Sequence, residues 1–257
     1  RELFRKLGEL GMYGFLMPEE YSGLERIDSI GMITFVEQLA RCSAALTTAY
    51  GRAAVILGPL VASAANKEQK DKVLPKVVAG EVFMALGLTE PGSGSDAASL
   101  RTRAVKQADG SYVVNGEKMF CTQAQSAGFM ILAARTDPEA IKQEGLSLFL
   151  IENPGANPAI ELNRIETMGM AMVPTFAVNF RDLKLPASAL IGKENQGWKY
   201  MLHGLDNERL YHGAIGVGAS QGIIDEVIAY LKQRIQFGKP LSKLQSVRHK
   251  IVDMQMR

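Results

Sequence analysis

Cysteine and histidine are scarce in this chain: 257 residues contain two of the first and three of the second. Cys42 and Cys121 are far apart, and His203, His212 and His249 form no spaced set with them. This predicts a reduced, intracellular protein with no disulfide framework and no metal site. A surplus of one charge is also missing. Lys plus Arg total 29 against 27 for Asp plus Glu, so nothing draws the chain as a whole to nucleic acid or an anionic membrane, and any positive site has to be local. Long apolar runs are absent as well. The strongest, Phe129 to Ala134, is far short of the roughly 20 residues that cross a bilayer, so no membrane span is predicted. No repeat, low-complexity tract or signal-peptide pattern is read. The chain opens on Arg1 without an initiator Met and stops at Arg257 inside a helical pattern, so both ends read as cut.

The length exceeds that of a usual single domain and predicts two or three cores. Apolar residues recur at helical spacing in the first third, as in Leu3, Leu7 and Leu10, then Ile30, Ile33, Val36 and Ala40. Gly14, the Pro18 to Gly23 segment, Gly58-Pro59 and Gly80 are the expected breaks, and a helix over Lys67 to Ala79 is expected to kink or stop at Pro75. After Gly80 the period falls to two. Strand-like runs cover Arg101 to Val105, Tyr112 to Val114, Lys118 to Thr122, Phe129 to Ala133, Leu146 to Ile151 and Thr175 to Phe180. Asp109-Gly110 and Asn115-Gly116 suit hairpin turns between them. Past Gly192 the helical period returns through Ile223, Val227, Tyr230 and Leu231 as far as Phe237-Gly238, with Ala214, Gly218 and Gly222 spaced by four as for close helix packing. The predicted class is α+β, with a helical unit at 1–85, an antiparallel β unit at 86–195 and the start of a second helical unit at 196–257.

The segment Leu88-Thr89-Glu90-Pro91-Gly92-Ser93-Gly94-Ser95-Asp96 links the first helical unit to the strands. Its glycines let backbone N–H groups approach a polar ligand, and Thr89 and Ser95 offer hydroxyls; an ordinary capped turn has the same composition. The spacing fits neither a dinucleotide fingerprint nor a Walker loop. Followed by Val114-Asn115-Gly116-Glu117-Lys118-Met119-Phe120-Cys121-Thr122, and later by Phe237-Gly238-Lys239-Pro240-Leu241 and Gln245, it resembles the acyl-CoA dehydrogenase family over essentially the whole chain. The resemblance implies a β-barrel or sandwich between helical units, the last the start of a four-helix bundle.

It also implies FAD, lined by Leu86, Leu88, Thr89, Gly94 and Ser95, with Phe120 shielding the flavin and the Thr122 hydroxyl bonding it. Ser95 is further implied near the acyl-CoA. Cys121 departs from the family's common aliphatic; it reads as a small apolar strand residue rather than a redox thiol, since no basic neighbour is apparent. Arg234, Gln236, Phe237 and Gln245 resemble the segment with which one subunit reaches its neighbour's FAD, implying a dimer or tetramer; a guanidinium suits pyrophosphate, although Arg234 equally suits a helix's last turn. Leu205-Asp206-Asn207-Glu208-Arg209-Leu210 resembles the minority of members, isovaleryl- and long-chain-type, that carry the catalytic base early in the last domain. Glu208 is thereby the candidate base, with Asp206 and Arg209 shaping the substrate pocket; the alternatives are a base in a late C-terminal loop past Arg257, where the resemblance places it in most members, and, as plain helix chemistry, a Glu208 that pairs with His212. Trp198 and Tyr200 are expected at a domain junction, and Met168, Met170 and Met172 as gap-fillers or an acyl channel lining.

The activity implied is α,β-oxidation of an acyl-CoA with electrons passed to an electron-transferring flavoprotein. Alternatives on the same scaffold are an acyl-CoA oxidase, a flavin monooxygenase, a thioester reductase or a non-catalytic assembly or acyl-binding protein. The compartment implied is the cytoplasm in a bacterium and the mitochondrial matrix in a eukaryote.

Overall fold

The computed structural model describes residues 1–22, 24 and 28–256; Gly23, at the end of one expected break, lies outside them. The first unit comprises α1 (Glu2–Glu9), α2 (Glu19–Ser22), α3 (Ser29–Cys42), α4 (Ala44–Gly51), α5 (Gly58–Ala64) and α6 (Lys67–Val78). Side chains close the starts of α3 and α6. Asp28 accepts from Gly31 N–H at 2.8 Å, and Asn66 with Gln69 forms a reciprocal capping box on α6.

Gly58-Pro59 does not break the chain. A π turn over Arg52–Leu57 joins α4 to α5 in one helical run, Ala44–Ala64. Its wider hydrogen bonding, Gly58 N–H to Ala53 O, shifts the frame so that Pro59 opens a new α segment, where its missing N–H is harmless. Pro75 does not stop α6 either, for the helix runs on to Val78 and Ala79 N–H bonds Pro75 O at 3.0 Å.

The middle unit is an eight-stranded sheet in the order β6-β7-β3-β2-β4-β5-β8, with β1 also paired to β4. The strands are β1 (Phe83–Gly87), β2 (Arg103–Lys106), β3 (Tyr112–Thr122), β4 (Ala127–Arg135), β5 (Leu146–Glu152), β6 (Ile160–Ile165), β7 (Thr175–Leu185) and β8 (Leu190–Ile191). The sheet is mixed rather than purely antiparallel, since β1 and β2 each run parallel to β4, and its path is open, with no closed barrel among the described residues. Period-two alternation divides β4 between two cores. Phe129, Ile131 and Ala133 pack toward the helices, while Met130, Leu132 and Ala134 pack on the other face with Tyr112, Val114 and Phe149. A strand buried on both faces reads as the continuous apolar run noted above.

Asp109-Gly110 makes the expected β2–β3 hairpin, with Gly110 at φ +83°. Asn115-Gly116 does not turn the chain. It lies inside β3 as a bulge, where Gly116 has φ +146° and a Cβ would stand 2.7 Å from Thr102, so the glycine serves close approach instead. Met168, Met170 and Met172 are exposed between β6 and β7 and fill no gap.

The last unit is one long helix, α7 (Gly197–Gln233), a two-residue hairpin of β9 (Ile235–Gln236) and β10 (Lys239–Pro240), and α8 (Gln245–Met256). α7 starts against the sheet: Gly197 packs on the Leu146 and Ser147 backbone, Tyr200 covers Gly192, and Trp198 packs on the core at this junction. Farther along it lies against α3, where a Cβ at Gly218 would fall 2.0 Å from Glu37 O and one at Gly222 2.3 Å from Arg41 O. The four-residue glycine spacing is the groove that admits the α3 backbone. Ala44–Ala64 and Gly197–Gln233 have the length and hydropathy of membrane spans; the first is two-thirds buried in this core, and the second packs on α3 and the sheet.

Candidate functional site

The polar loop after β1 is pinned from beneath by a buried ion pair. Lys118 Nζ, on β3 and fully buried, donates to Glu90 Oε1 at 2.8 Å and to Leu88 O at 3.0 Å. Glu90 also accepts from the backbone N–H groups of Arg101 (2.7 Å) and Thr102 (2.9 Å). Burial pushes the Lys118 ammonium down to about 8. Burial alone would raise the Glu90 carboxyl, but the Lys118 charge and the Thr102 bonds outweigh it and hold Glu90 below its ordinary value. Sequence reasoning gave neither residue a role, although both stand in the two motifs; no spacing rule links residues so far apart.

With the loop seated, Met119 N–H donates to Thr89 O at 2.7 Å. The register of β3 against β7 shifts between Lys118 and Cys121, and at that bulge Phe120 takes φ +58° and is 59% exposed. A bulky residue in the left-handed region is strained, and such strain collects at functional sites. Leu86 is buried, Leu88 and Thr89 are half-buried, and Gly94 and Ser95 are exposed on the outer edge of the loop. A Cβ at Gly92 or Gly94 would meet nothing within 4 Å, so neither glycine is explained by packing within the chain. Thr122 Oγ1 lies 3.4 Å from Thr175 Oγ1. The Cys121 thiol is buried and pushed up to about 12. Basic neighbours do exist, Lys118 and Arg52, but desolvation wins and the thiol stays inert.

In the last unit, one face of α7 turns to the π turn. Gly204 lies against Ile56 and Leu60, and the Tyr211 ring fills the space where Gly51 lacks a Cβ. Glu208, half-buried, stands on the same face, four residues from Gly204 and three from Tyr211. Tyr211 Oη donates to Thr47 O. His212 Nδ1 meets the backbone O of Glu208 at 2.9 Å, and no bond or ion pair joins the imidazole to the Glu208 carboxylate. Asp206 and Arg209 pair with each other at 2.7 Å on the exposed side. Asp206 also lines a cavity of about 370 Å³ with His203, Pro59 and Ser63. A larger pocket of about 510 Å³ lies by the loop itself, bordered by Glu90, Gly92, Ser93, Arg101 and Arg181.

Two buried polar side-chain atoms among the described residues lack a partner, Arg52 Nε and Gln123 Oε1. Gln123 follows Thr122 directly, at φ +62°. Arg52, in the π turn, is near enough to Cys121 and to Tyr211 to act electrostatically on both, and Glu208 acts on Tyr211. Neither orphan was singled out from the sequence.

Arg234, Gln236, Phe237 and Gln245 are not brought to this place. Arg234 follows the end of α7 in extended conformation, not in a last helical turn. About 40 Å of helix, at 1.5 Å rise per residue, separates it from Glu208. Phe237 and Gly238 have φ +52° and +73°, the two positive values of a tight hairpin turn, and Phe237 is 87% exposed at its tip.

Three family models match in order: the acyl-CoA dehydrogenase N-terminal domain over residues 1–81, the middle domain over 85–183 and the C-terminal domain over 195–257. The chain is 36% identical over 255 residues to the mitochondrial 2-methylacyl-CoA dehydrogenase of Solanum tuberosum, covering 98% of this chain and 60% of that protein. Butyryl-CoA dehydrogenase from Megasphaera elsdenii superposes with a TM-score of 0.90 at 33% identity, over 100% of this chain and 67% of that one. A chain in a structure entitled "Electron transferring flavoprotein of Acidaminococcus fermentans: Towards a mechanism of flavin-based electron bifurcation" superposes at 0.91 and 31%, over 100% and 66%. This chain thus spans about 60% of the length of the curated relatives it matches. Matched in all three parts, the chain belongs to the acyl-CoA dehydrogenase family.

Proposed function

We propose that the protein containing this chain is an FAD-dependent acyl-CoA dehydrogenase that converts an acyl-CoA to its trans-2-enoyl-CoA and passes the electrons to an electron-transferring flavoprotein. The observation that carries this reading is the loop at Thr89, pinned by Glu90 and Lys118 against the bulge at which Phe120 is exposed, in a chain whose α7 carries half-buried Glu208.

The residues present fit that cofactor. Gly92 and Gly94 leave an open edge that nothing in the chain fills, Gln123 Oε1 is a buried acceptor without a donor, and Phe120 offers a bare aromatic face. Leu86, Leu88, Thr89, Gly94, Ser95, Phe120, Cys121 and Thr122 would line it, and when bound it supplies the acceptor for the hydride leaving Cβ. Glu208 takes the proton from Cα; the electron pair of that C–H bond becomes the new double bond as the hydride departs. A half-buried carboxylate with no cation bonded to it among the described residues is suited to this work, because its oxygens are free to accept a proton. Asp206 and Arg209 border the entrance, and Ser95 meets the thioester carrier.

Arg234, Gln236, Phe237 and Gln245 contact the cofactor of a second subunit in a homodimer or tetramer. Their exposure and their distance from Glu208 along α7 favour that arrangement over contact within one chain. The compartment would be the cytoplasm of a bacterium or the mitochondrial matrix of a eukaryote.

The test is anaerobic. Full-length protein should purify yellow and bleach when a suitable acyl-CoA is added. Fast peroxide production in air would assign an oxidase instead, and a colourless protein that refuses FAD would end the enzymatic reading.

A further inference from the structure

Glu90 and Lys118 are the two charged side chains buried among the described residues, and they meet each other. Exchanging a buried ion pair for apolar side chains of similar volume is commonly neutral or stabilising, so the fold by itself gives little reason to keep this one. Its hydrogen bonds point to another use. Lys118 Nζ donates to Leu88 O where the polar loop begins, and the Glu90 carboxylate accepts from the Arg101 and Thr102 N–H groups where that loop ends. The backbone of Glu90 also closes a tight turn, exchanging hydrogen bonds with Ser93 at 3.0 and 3.1 Å. Between these ties lie Gly92 and Gly94, where a Cβ would meet nothing within 4 Å. The loop is thus fixed at its ends and open along its edge.

The same pair reaches the strand that carries the other candidate residues. Lys118 lies in β3 two residues before Phe120, and its neighbour Met119 donates to Thr89 O at 2.7 Å. The bulge at Gly116 lets the loop's far end come in, since a Cβ there would stand 2.7 Å from Thr102. One buried ion pair therefore ties both ends of the loop to β3, with Thr89 on one side and Phe120 to Thr122 on the other. Groups that bind a cofactor act well only when held within about 0.5 Å of their working geometry by the contacts behind them.

We propose that Glu90 and Lys118 are positioning residues for the flavin: as one unit they set the spacing between the Thr89 loop and the Phe120 to Thr122 strand, and through it the affinity and reduction potential of the bound cofactor. The inference rests on the FAD-dependent reading and deepens it. The pair acts through the loop backbone, so its removal should change the cofactor's environment even where the fold survives.

The test uses full-length protein stripped of flavin and titrated with FAD, beside denaturant unfolding and an equilibrium measurement of the flavin potential. The Lys118→Met, Glu90→Leu double variant should unfold near the wild-type midpoint yet bind FAD roughly 10-fold more weakly, the equivalent of about one lost hydrogen bond. Its flavin potential should fall by about 30 mV, a tenfold change in a two-electron equilibrium, because donors that stabilise the reduced, more negative flavin are no longer held in place. Lys118→Met with Glu90→Gln keeps a carbonyl for one of the two amides and should recover part of both. A double variant of wild-type stability with wild-type FAD affinity and potential overturns the proposal, as does a loss of affinity that appears only in step with a loss of stability. Should the double variant not fold, Glu90→Gln alone decides: weaker FAD binding with a shifted potential in folded protein supports the proposal, and unchanged values overturn it. Wild type that takes up FAD but is bleached by no acyl-CoA defeats the dehydrogenase reading and leaves the affinity comparison to decide this one; wild type that refuses FAD overturns both.

Discussion

Two carboxylates in this chain have different partners and lead to different predictions. Glu208 stands half-buried with no bonded cation, so Glu208→Gln should abolish flavin bleaching by acyl-CoA while the protein stays yellow; unchanged reduction would remove it as base. Glu90 is tied to buried Lys118, and Lys118→Met would leave that carboxylate uncompensated. A loss of about 3–5 kcal/mol in denaturant unfolding is expected, mostly recovered in the Lys118→Met, Glu90→Leu double variant. The pair has a pH signature as well. Glu90 is held below its ordinary value of 4.5, so on acidification the unfolded chain takes up the proton first. Stability from this group is therefore present above about pH 4.5 and lost as pH falls through the lower folded value, and Glu90→Gln should flatten that acid limb.

Among the elements, α7 turns small residues to opposite uses. Gly218→Ala would drive a methyl into the Glu37 carbonyl and should destabilise the 257-residue chain by about 1–3 kcal/mol. Gly216, on the same helix, meets nothing within 4 Å, and Gly216→Ala should stabilise that chain by about 1 kcal/mol through helix propensity. Urea unfolding midpoints of the two variants should move in opposite directions. The spacing of Ala214, Gly218 and Gly222 was enough to expect close packing, though not its partner, because periodicity reports a face and never what covers it. Elsewhere local rules were overridden. Asn115-Gly116 has the composition of a hairpin turn yet bulges within β3, since β7 continues alongside both halves of that strand. Gly58-Pro59 has the composition of a break yet sits inside a continuous helical run, because a π turn adjusts the frame ahead of the proline. β1 and β6 went unassigned: β1 lies next to the helix-to-strand transition, and β6 alternates buried and exposed positions without β-rich composition at its exposed ones.

For the whole molecule, the separation between Glu208 and the Arg234 hairpin is decisive. If a cofactor held near Phe120 is also gripped by a partner's Arg234 and Phe237, flavin retention must depend on assembly. Dilution of the full-length protein should then release flavin in step with oligomer dissociation, followed by sedimentation and flavin fluorescence. Arg234→Met should weaken retention in the same assay without altering the protomer's fold, since that side chain is exposed and makes no bond among the described residues.

The amino-acid order alone determined the helical, β, helical succession, the family and the residues of the Thr89 loop and of Phe120 to Thr122, because periodicity and motif are local properties and survive in one dimension. The fold alone decided that Glu90 and Lys118 form one buried pair, that Phe120 is exposed at a bulge, and that Arg52 Nε is buried without an acceptor. Each of those depends on which distant segments exclude water from one another, and no local pattern records that.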